Sequence, residues 1–261
     1  MCNKDSSFFE KMTEAFKKSL PGVRLVLFDE TDSTNTQAKL ADHSERQNTV
    51  FIARRQTGGR GRLGRSFLSE SGGLYLSYLS YPELSVSDSV RLTAYAAVCL
   101  CETVSALTST SPKIKWVNDC FVGGKKLSGI LTEGGFSTDG NSFSYTVVGV
   151  GVNVARVDFG DGLSDIATDI ESECGKAPEL SELAVELVKR LSRFSEADPR
   201  EYMKKYRELS LVMGRRVKVL SPSGDYFATV TDIDDSGALT VDLGSRETAR
   251  IFSGEVSLRL E

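Results

Sequence analysis

From Gln56 to Arg65 the chain reads Gln-Thr-Gly-Gly-Arg-Gly-Arg-Leu-Gly-Arg, with four glycines and three arginines in ten residues. Glycine lets a backbone curl tightly and approach a ligand. Arginine stays charged and forks onto phosphate or carboxylate. Loop amides and guanidinium groups together would face one anion, so the composition is that of a site for a phosphorylated ligand. The stretch lacks the Gly-Lys-Ser/Thr ending of a Walker loop, and no helical pattern follows it as in a dinucleotide fingerprint. A solvated basic loop, or an Arg-Gly contact to nucleic acid, has the same composition. The net charge of −4 speaks against nucleic acid.

Two further stretches carry polar groups at useful spacing. Lys115-Trp116-Val117-Asn118-Asp119 and Lys125-Lys126-Leu127-Ser128-Gly129 flank Gly123-Gly124. A hairpin with arms Ile114–Val117 and Leu127–Thr132 would gather Asn118, Asp119, Lys125 and Lys126. A carboxylate and an amide beside a phosphate can hold hydrated Mg²⁺, and a lysine there can neutralise developing negative charge. A charged surface hairpin is the plain alternative. In Val148-Gly149-Val150-Gly151-Val152-Asn153-Val154, alternation puts the valines on one face and Gly149, Gly151 and Asn153 on the other. A strand face without side chains admits either a ligand or a closely packed neighbour.

These segments need elements to hold them. Phe8, Phe9, Met12 and Phe16 mark an amphipathic helix over 8–20. A strand over 23–28 leads to Ser33 or Thr34 as a helix N-cap, with Thr34 and Gln37 forming a capping box. Strands follow at 50–53, 74–79 and 145–154. Helices start at Asp88, run through Leu180–Phe194, and open again at Asp198-Pro199. After Gly214 five short strands recur about every ten residues: 217–220, 227–233, 239–243, 249–252 and 256–260. The expected division is 1–210 and 211–261.

Of the chain's 261 residues, 40% are hydrophobic and 26% charged, ordinary values for a globular protein. Five cysteines without a CxxC pair argue against a disulfide framework or structural zinc. They read as reduced, mostly buried thiols in a cytoplasmic protein. The single histidine, His43, lies in a polar stretch and reads as a bystander. No signal peptide and no membrane span are expected.

Taken in order, Ser33-Thr34-Asn35, Gln56–Arg65, Gly73–Ser77, Lys115–Asp119, Lys126–Leu131, Gly149–Asn153 and Ser253–Arg259 resemble the biotin–protein ligase family. The resemblance runs from about residue 25 to the end. It implies an α+β fold: a central mixed β-sheet flanked by helices, as in class II synthetases, then a small SH3-like β-barrel. It implies that biotin and ATP with Mg²⁺ give biotinyl-5′-AMP, and that the biotinyl group passes to a lysine of a carrier domain of a carboxylase. No tightly bound metal is implied.

Roles carry over by position. Ser33, Thr34, Asn35, Gln56, Gly59, Arg60, Gly61, Arg62, Lys126 and Gly129 are expected at biotin. Arg62, Arg65, Phe67, Asn118, Asp119, Lys126 and Asn153 are expected at the adenylate. Lys126 and Arg62 are the expected catalytic groups, with Asp119 as the Mg²⁺ residue. The family usually has proline where Val117 stands and tryptophan where Phe67 stands, so a smaller ring would stack on adenine. Fewer than thirty residues precede the first catalytic strand, which points to a form without a DNA-binding domain. A lipoate- or octanoate-handling enzyme of the same fold is the near alternative, and a nucleic-acid-binding module the distant one. A homodimer stays open.

Overall fold

The fold was obtained as a computed structural model, which describes residues 3–156, 158–160, 162–221, 224–244, 247–252 and 255–257. Seven strands form the main sheet: β1 (Arg24–Thr31), β2 (Thr49–Gln56), β3 (Leu74–Ser80), β4 (Lys113–Lys115), β5 (Asp119–Val122), β6 (Lys125–Phe136) and β7 (Phe143–Val152). Their order is β1-β2-β3-β7-β6-β5-β4. The β1–β2 pair is parallel and the other pairs are antiparallel, so the sheet is mixed.

Strand alternation gives the sheet two different faces. Val50, Ile52, Leu74, Leu76, Val148, Val150 and Val152 point to one face and join the large core. Helices α1 (Asn3–Ser19), α3 (Ser89–Leu107) and α5 (Leu180–Leu191) contribute Met12, Phe16, Leu100, Val104, Leu183 and Leu187 to that core. Residues 86–107 have the length and mean hydropathy of a membrane span, but 67% of that window is buried inside the protein, which makes it a core helix. On the opposite face α2 (Thr34–Leu40) covers a small second core of Ala38, Phe51, Leu79 and Val147. The rest of that face holds Tyr75, Ser77, Gly149, Gly151, Gly129 and Leu131, paired in two rows across β3, β7 and β6.

The expected hairpin is redrawn. Its arms are β5 and β6, turned at Gly123-Gly124, and β4 lies outside β5. Residues 116–118 form a turn instead of extending the strand, and the Trp116–Val117 peptide is cis. The capping box does not form either. Ser33 is the N-cap but its hydroxyl makes no cap bond. The Thr34 amide donates instead to Gln56 Oε1 at 2.8 Å, and Gln37 Nε2 reaches Asp32 at 2.9 Å. A side chain from β2 thus takes over the helix end. His43 is packed rather than solvated: its ring stacks on Tyr145 with centroids 3.9 Å apart, away from the cleft described below.

After α6 (Pro199–Leu209), started by Pro199 and capped by Asp198, the chain enters the second sheet. Its strands are β8 (Arg216–Leu220), β9 (Tyr226–Ile233), β10 (Leu239–Gly244), β11 (Glu247–Ile251) and β12 (Glu255–Ser257). All pairs are antiparallel, in the order β11-β10-β9-β8-β12 of an SH3-like unit. Of the last expected strand and the Ser253–Arg259 motif, residues 253, 254 and 258–260 lie outside the described residues. A buried polar contact joins this unit to the first, and a second one within the first unit fixes the same turn. Trp116 Nε1 donates to Gly237 O at 3.0 Å, and Tyr206 on α6 donates to Val117 O at 2.9 Å. Trp116→Phe removes that donor and leaves the Gly237 carbonyl buried without it. A loss of about 1–3 kcal/mol in unfolding free energy is expected from denaturant titration, and an unchanged midpoint would show that the contact joins nothing.

Candidate active site

The side-chain-poor face of the sheet is the floor of an open cleft lined by α2, the Gly/Arg stretch and the start of β6. Glycine makes the floor possible. A β-carbon on Gly149 would stand 2.0 Å from Asn35 Oδ1, and one on Gly151 would stand 2.6 Å from Phe67 Cε1. The question the alternating glycines raised has a definite answer: the Asn35 amide and the Phe67 ring lie directly against the backbone there. Gly129, beside Gly151 in the sheet, faces Phe67 and Lys126 Nζ at 3.3 and 3.4 Å from its missing β-carbon.

At one end of the cleft stands the start of α2. Ser33, Thr34 and Asn35 are buried. Asn35 is fixed at both ends of its amide: Nδ2 donates to Leu131 O at 3.1 Å, and Oδ1 accepts from Ser77 at 2.6 Å. Ser77 is also 2.7 Å from Thr34 Oγ1, and Thr34 Oγ1 donates to Gln56 Oε1 at 3.1 Å. Gln56 Nε2 in turn donates to Ser69 at 2.9 Å. This chain of short bonds sets the orientation of Thr34, Asn35 and Gln56 at that end of the cleft. Ser77 is the residue facing this chain from β3, and its place between Leu76 and Tyr78 was the available sequence signal.

The Gly/Arg stretch is a built turn. Gly58 N donates to Asp32 O, Phe67 N to Gly59 O, and Gly61 N to Arg65 O at 2.8, 2.9 and 2.7 Å. The Gly58, Gly61 and Phe67 amides are therefore committed inside the protein. Arg60, Gly61, Arg62 and Arg65 all line the cleft. Gly59 does not; a β-carbon there would meet Phe67 O at 2.3 Å, so it lets the two arms of the turn approach.

At the other end, Lys126 Nζ lies 2.8 Å from Asp119 Oδ2, with side chains 34% and 23% exposed. The ammonium also stands 5.9 Å from the centre of the Phe67 ring. Asp119 Oδ1 is buried and has no hydrogen-bond partner among the described residues. Asn118 Oδ1 accepts from Arg62 at 3.3 Å while its Nδ2 donates to Ile130 O at 2.8 Å. Lys125 points elsewhere, donating to Ser164 O at 2.8 Å, because adjacent strand residues face opposite ways.

Asn153 is a second departure. β7 ends at Val152, so the alternation that grouped Asn153 with Gly149 and Gly151 stops one residue earlier. Asn153 is buried outside the cleft lining, and its Nδ2 donates to Thr168 O at 3.0 Å. The described cysteines carry no disulfide; Cys99, Cys101 and Cys120 are buried, and burial pushes the Cys99 thiol up to about 12. Cys2 lies outside the described residues.

Known proteins match the chain over both units. Residues 27–153 match the biotin/lipoate A/B protein ligase family, and residues 212–259 match the biotin protein ligase C-terminal domain. A biotin–[acetyl-CoA-carboxylase] ligase of Mycobacterium tuberculosis is 30% identical, across 87% of this chain and 86% of that protein. A bifunctional ligase/repressor of Bacillus spizizenii is 28% identical, across 93% of this chain and 76% of the relative. In structure, the biotin protein ligase of Aquifex aeolicus in complex with biotin and ATP superposes with a TM-score of 0.77 at 31% identity, covering 91% of this chain and 99% of that one.

The floor makes a testable demand. Gly149→Ala must displace the Asn35 amide, and a loss of roughly 1–3 kcal/mol in stability is expected for such overpacking. Gly22→Ala, where a β-carbon meets nothing within 4 Å, is the neutral control. Equal melting temperatures for the two variants would contradict the packing described.

Proposed function

The chain belongs to the biotin–protein ligase family, and from that premise we propose that this enzyme condenses biotin with ATP and passes the biotinyl group to one lysine of a biotin carboxyl carrier domain. The observation that carries the reading is the convergence of Arg60, Arg62 and Lys126, from two separate stretches of chain, over a floor of three glycines. Cationic groups beside a floor that carries only the Asn35 amide and the Phe67 ring suit a flat, elongated ligand with an anionic centre.

A carboxylate is a poor electrophile, so the reaction needs two steps. In the first, a carboxylate oxygen of biotin attacks the α-phosphorus of ATP. The bond from that phosphorus to the bridging oxygen breaks, and pyrophosphate departs with the electron pair. Lys126 offsets the charge shared by the carboxylate and the α-phosphate, and Arg62 holds the resulting mixed anhydride. The Arg62–Asn118 bond, at 3.3 Å to a neutral amide, is one an anion readily replaces. In the second step a neutral lysine amine of the carrier attacks the carbonyl carbon, AMP leaves, and the amine proton passes to solvent.

We assign Ser33, Thr34, Asn35, Gln56, Arg60, Gly61 and Gly129 to the biotin side. Arg65, Phe67, Asn118 and Asp119 go to the adenylate side, with Gly59 and Asn153 supporting from behind. Residues 1–210 are then the catalytic unit and 211–261 the SH3-like one. The unpartnered Asp119 Oδ1 and the nearby Asn118 amide fit Mg²⁺ that arrives with the nucleotide and offsets phosphate charge. No group of three or more His, Cys, Asp or Glu side chains able to hold a metal occurs among the described residues.

The catalytic match alone covers biotin and lipoate enzymes, whereas the match at 212–259 is to biotin protein ligases. Calorimetric competition should therefore show lipoate failing to displace biotin; displacement at similar concentration would favour the lipoate alternative. The direct assay is incubation with biotin, Mg-ATP and a carrier domain, read as biotin-dependent pyrophosphate release and a biotinylated carrier. Lys126→Ala is expected to slow adenylate formation by about 10²-fold or more while biotin affinity changes far less. Unchanged turnover in that variant would remove Lys126 from the mechanism.

A further inference from the structure

One row of backbone pairings crosses the sheet on its cleft face: Tyr75 with Gly151, Gly151 with Gly129, Gly129 with Asp119, and Asp119 with Lys115. Phe67 rests on Gly151, Lys126 stands beside Gly129, and Asp119 pairs with Lys126. Lys115 ends the row on β4, the edge strand. Its neighbour Ile114 is buried in the large core, so alternation turns Lys115 the other way, and its half-buried side chain lines the cleft. Two of the lining residues are lysines, Lys126 and Lys115. Lys113, the next residue on that face of β4, is exposed and lies outside the lining.

Neighbouring strands lie about 4.8 Å apart, so β6 and β4 are separated by about 10 Å. Two cations spaced that far along one floor suit an anion longer than a single phosphate. Lys126 and Arg60 each face a carboxylate, Asp119 at 2.8 Å and Glu133 at 3.4 Å, and Glu133 is shared with Lys39 at 2.7 Å. Part of their charge is therefore offset before a ligand binds. The Lys115 ammonium stands 5.6 Å from the centre of the Phe121 ring, a weak attraction that an anion can replace. In a phosphoryl transfer the attacking and leaving oxygens stand roughly in line across the phosphorus. The biotin carboxylate comes from the Asn35 end of the cleft, and Lys126 sits at the α-phosphate. The pyrophosphate then departs away from Asn35, along the row toward Asp119 and Lys115.

We propose that Lys115 is a further catalytic residue, whose ammonium binds the pyrophosphate part of ATP and offsets the charge it gains on leaving. This rests on the proposed function. The step balances without a proton from Lys115. The bond from the carboxylate oxygen to the α-phosphorus forms, the bond from that phosphorus to the bridging oxygen breaks, and the electron pair stays on pyrophosphate beside a cation. An ammonium placed there acts only while pyrophosphate is present. It serves adenylate formation and its reversal, and takes no part in passing the biotinyl group to the carrier lysine.

The two half-reactions of the full chain, run separately, test this. In Lys115→Met, which keeps the apolar stem and loses the charge, kcat/KM for ATP in adenylate formation is expected to fall about 10- to 100-fold. In the reverse reaction, from biotinyl-5′-AMP to ATP, KM for pyrophosphate should rise about tenfold. Transfer from preformed biotinyl-5′-AMP to the carrier domain should stay within about twofold of the wild type. Lys115→Arg keeps the charge and should recover adenylation to within about threefold. Lys113→Met is the control for rim charge and should match the wild type. A disturbed β4 would slow both half-reactions together. Unchanged adenylation in Lys115→Met, equal slowing of both half-reactions, no recovery with arginine, or equal slowing in Lys113→Met overturns the assignment. Should Lys115→Met not fold, Lys115→Gln carries the same comparison. If the wild type releases no pyrophosphate from biotin and Mg-ATP, the biotin reading fails, and calorimetry with magnesium pyrophosphate decides Lys115 by itself. Weaker binding to Lys115→Met than to the wild type would then uphold the pyrophosphate site, and equal binding would overturn it.

Discussion

Gly149 and Gly151 bring no side chains to the cleft face, and the Asn35 amide and the Phe67 ring rest where β-carbons would otherwise stand. Much of the site follows from that close approach. Because Asn35 can lie on the backbone of β7, α2 can sit low on the sheet, with its first turn meeting Gln56 and Ser77. Because Phe67 can lie on Gly151, the arm of the Gly/Arg turn that ends there closes over the floor and brings its arginines with it. The other face of the same strand is all valine and anchors the large core, so the floor is bare without being weak.

The cations around this floor are held by partners of graded strength. Lys126 faces a carboxylate at 2.8 Å, Arg60 a carboxylate at 3.4 Å that Lys39 already neutralises, and Arg62 a neutral amide at 3.3 Å. All are partly exposed, so none of these pairs adds much to stability. Their value is geometric. Each holds a positive group beside the floor without cancelling it against a fully buried partner, which leaves the charge available to an anion that displaces a weak contact.

Period-two alternation made the valine face of β7 and its glycine face legible from sequence, and both are where that pattern puts them. Asn153 shows the limit of the method, since periodicity does not say where a strand ends. The hairpin arms were misread for a related reason. Trp116, Val117 and Asn118 continue an apolar strand pattern locally, but Trp116 and Val117 are claimed by the second unit and by α6, and the chain turns there. The amide of Thr34 is capped by Gln56, 22 positions away, and no local signal could foretell a long-range cap of that kind. The ordered set of short motifs was specific enough to name the family, and matches over both units agree with it.

A crystal structure with a non-hydrolysable biotinyl-adenylate analogue tests the central claim most directly. The account predicts the analogue lying over the Asn35 amide and the Phe67 ring that rest on the glycine floor, with its phosphate within hydrogen-bond distance of Lys126 and Arg62. An analogue bound away from that floor, or with its phosphate contacting neither cation, would contradict it.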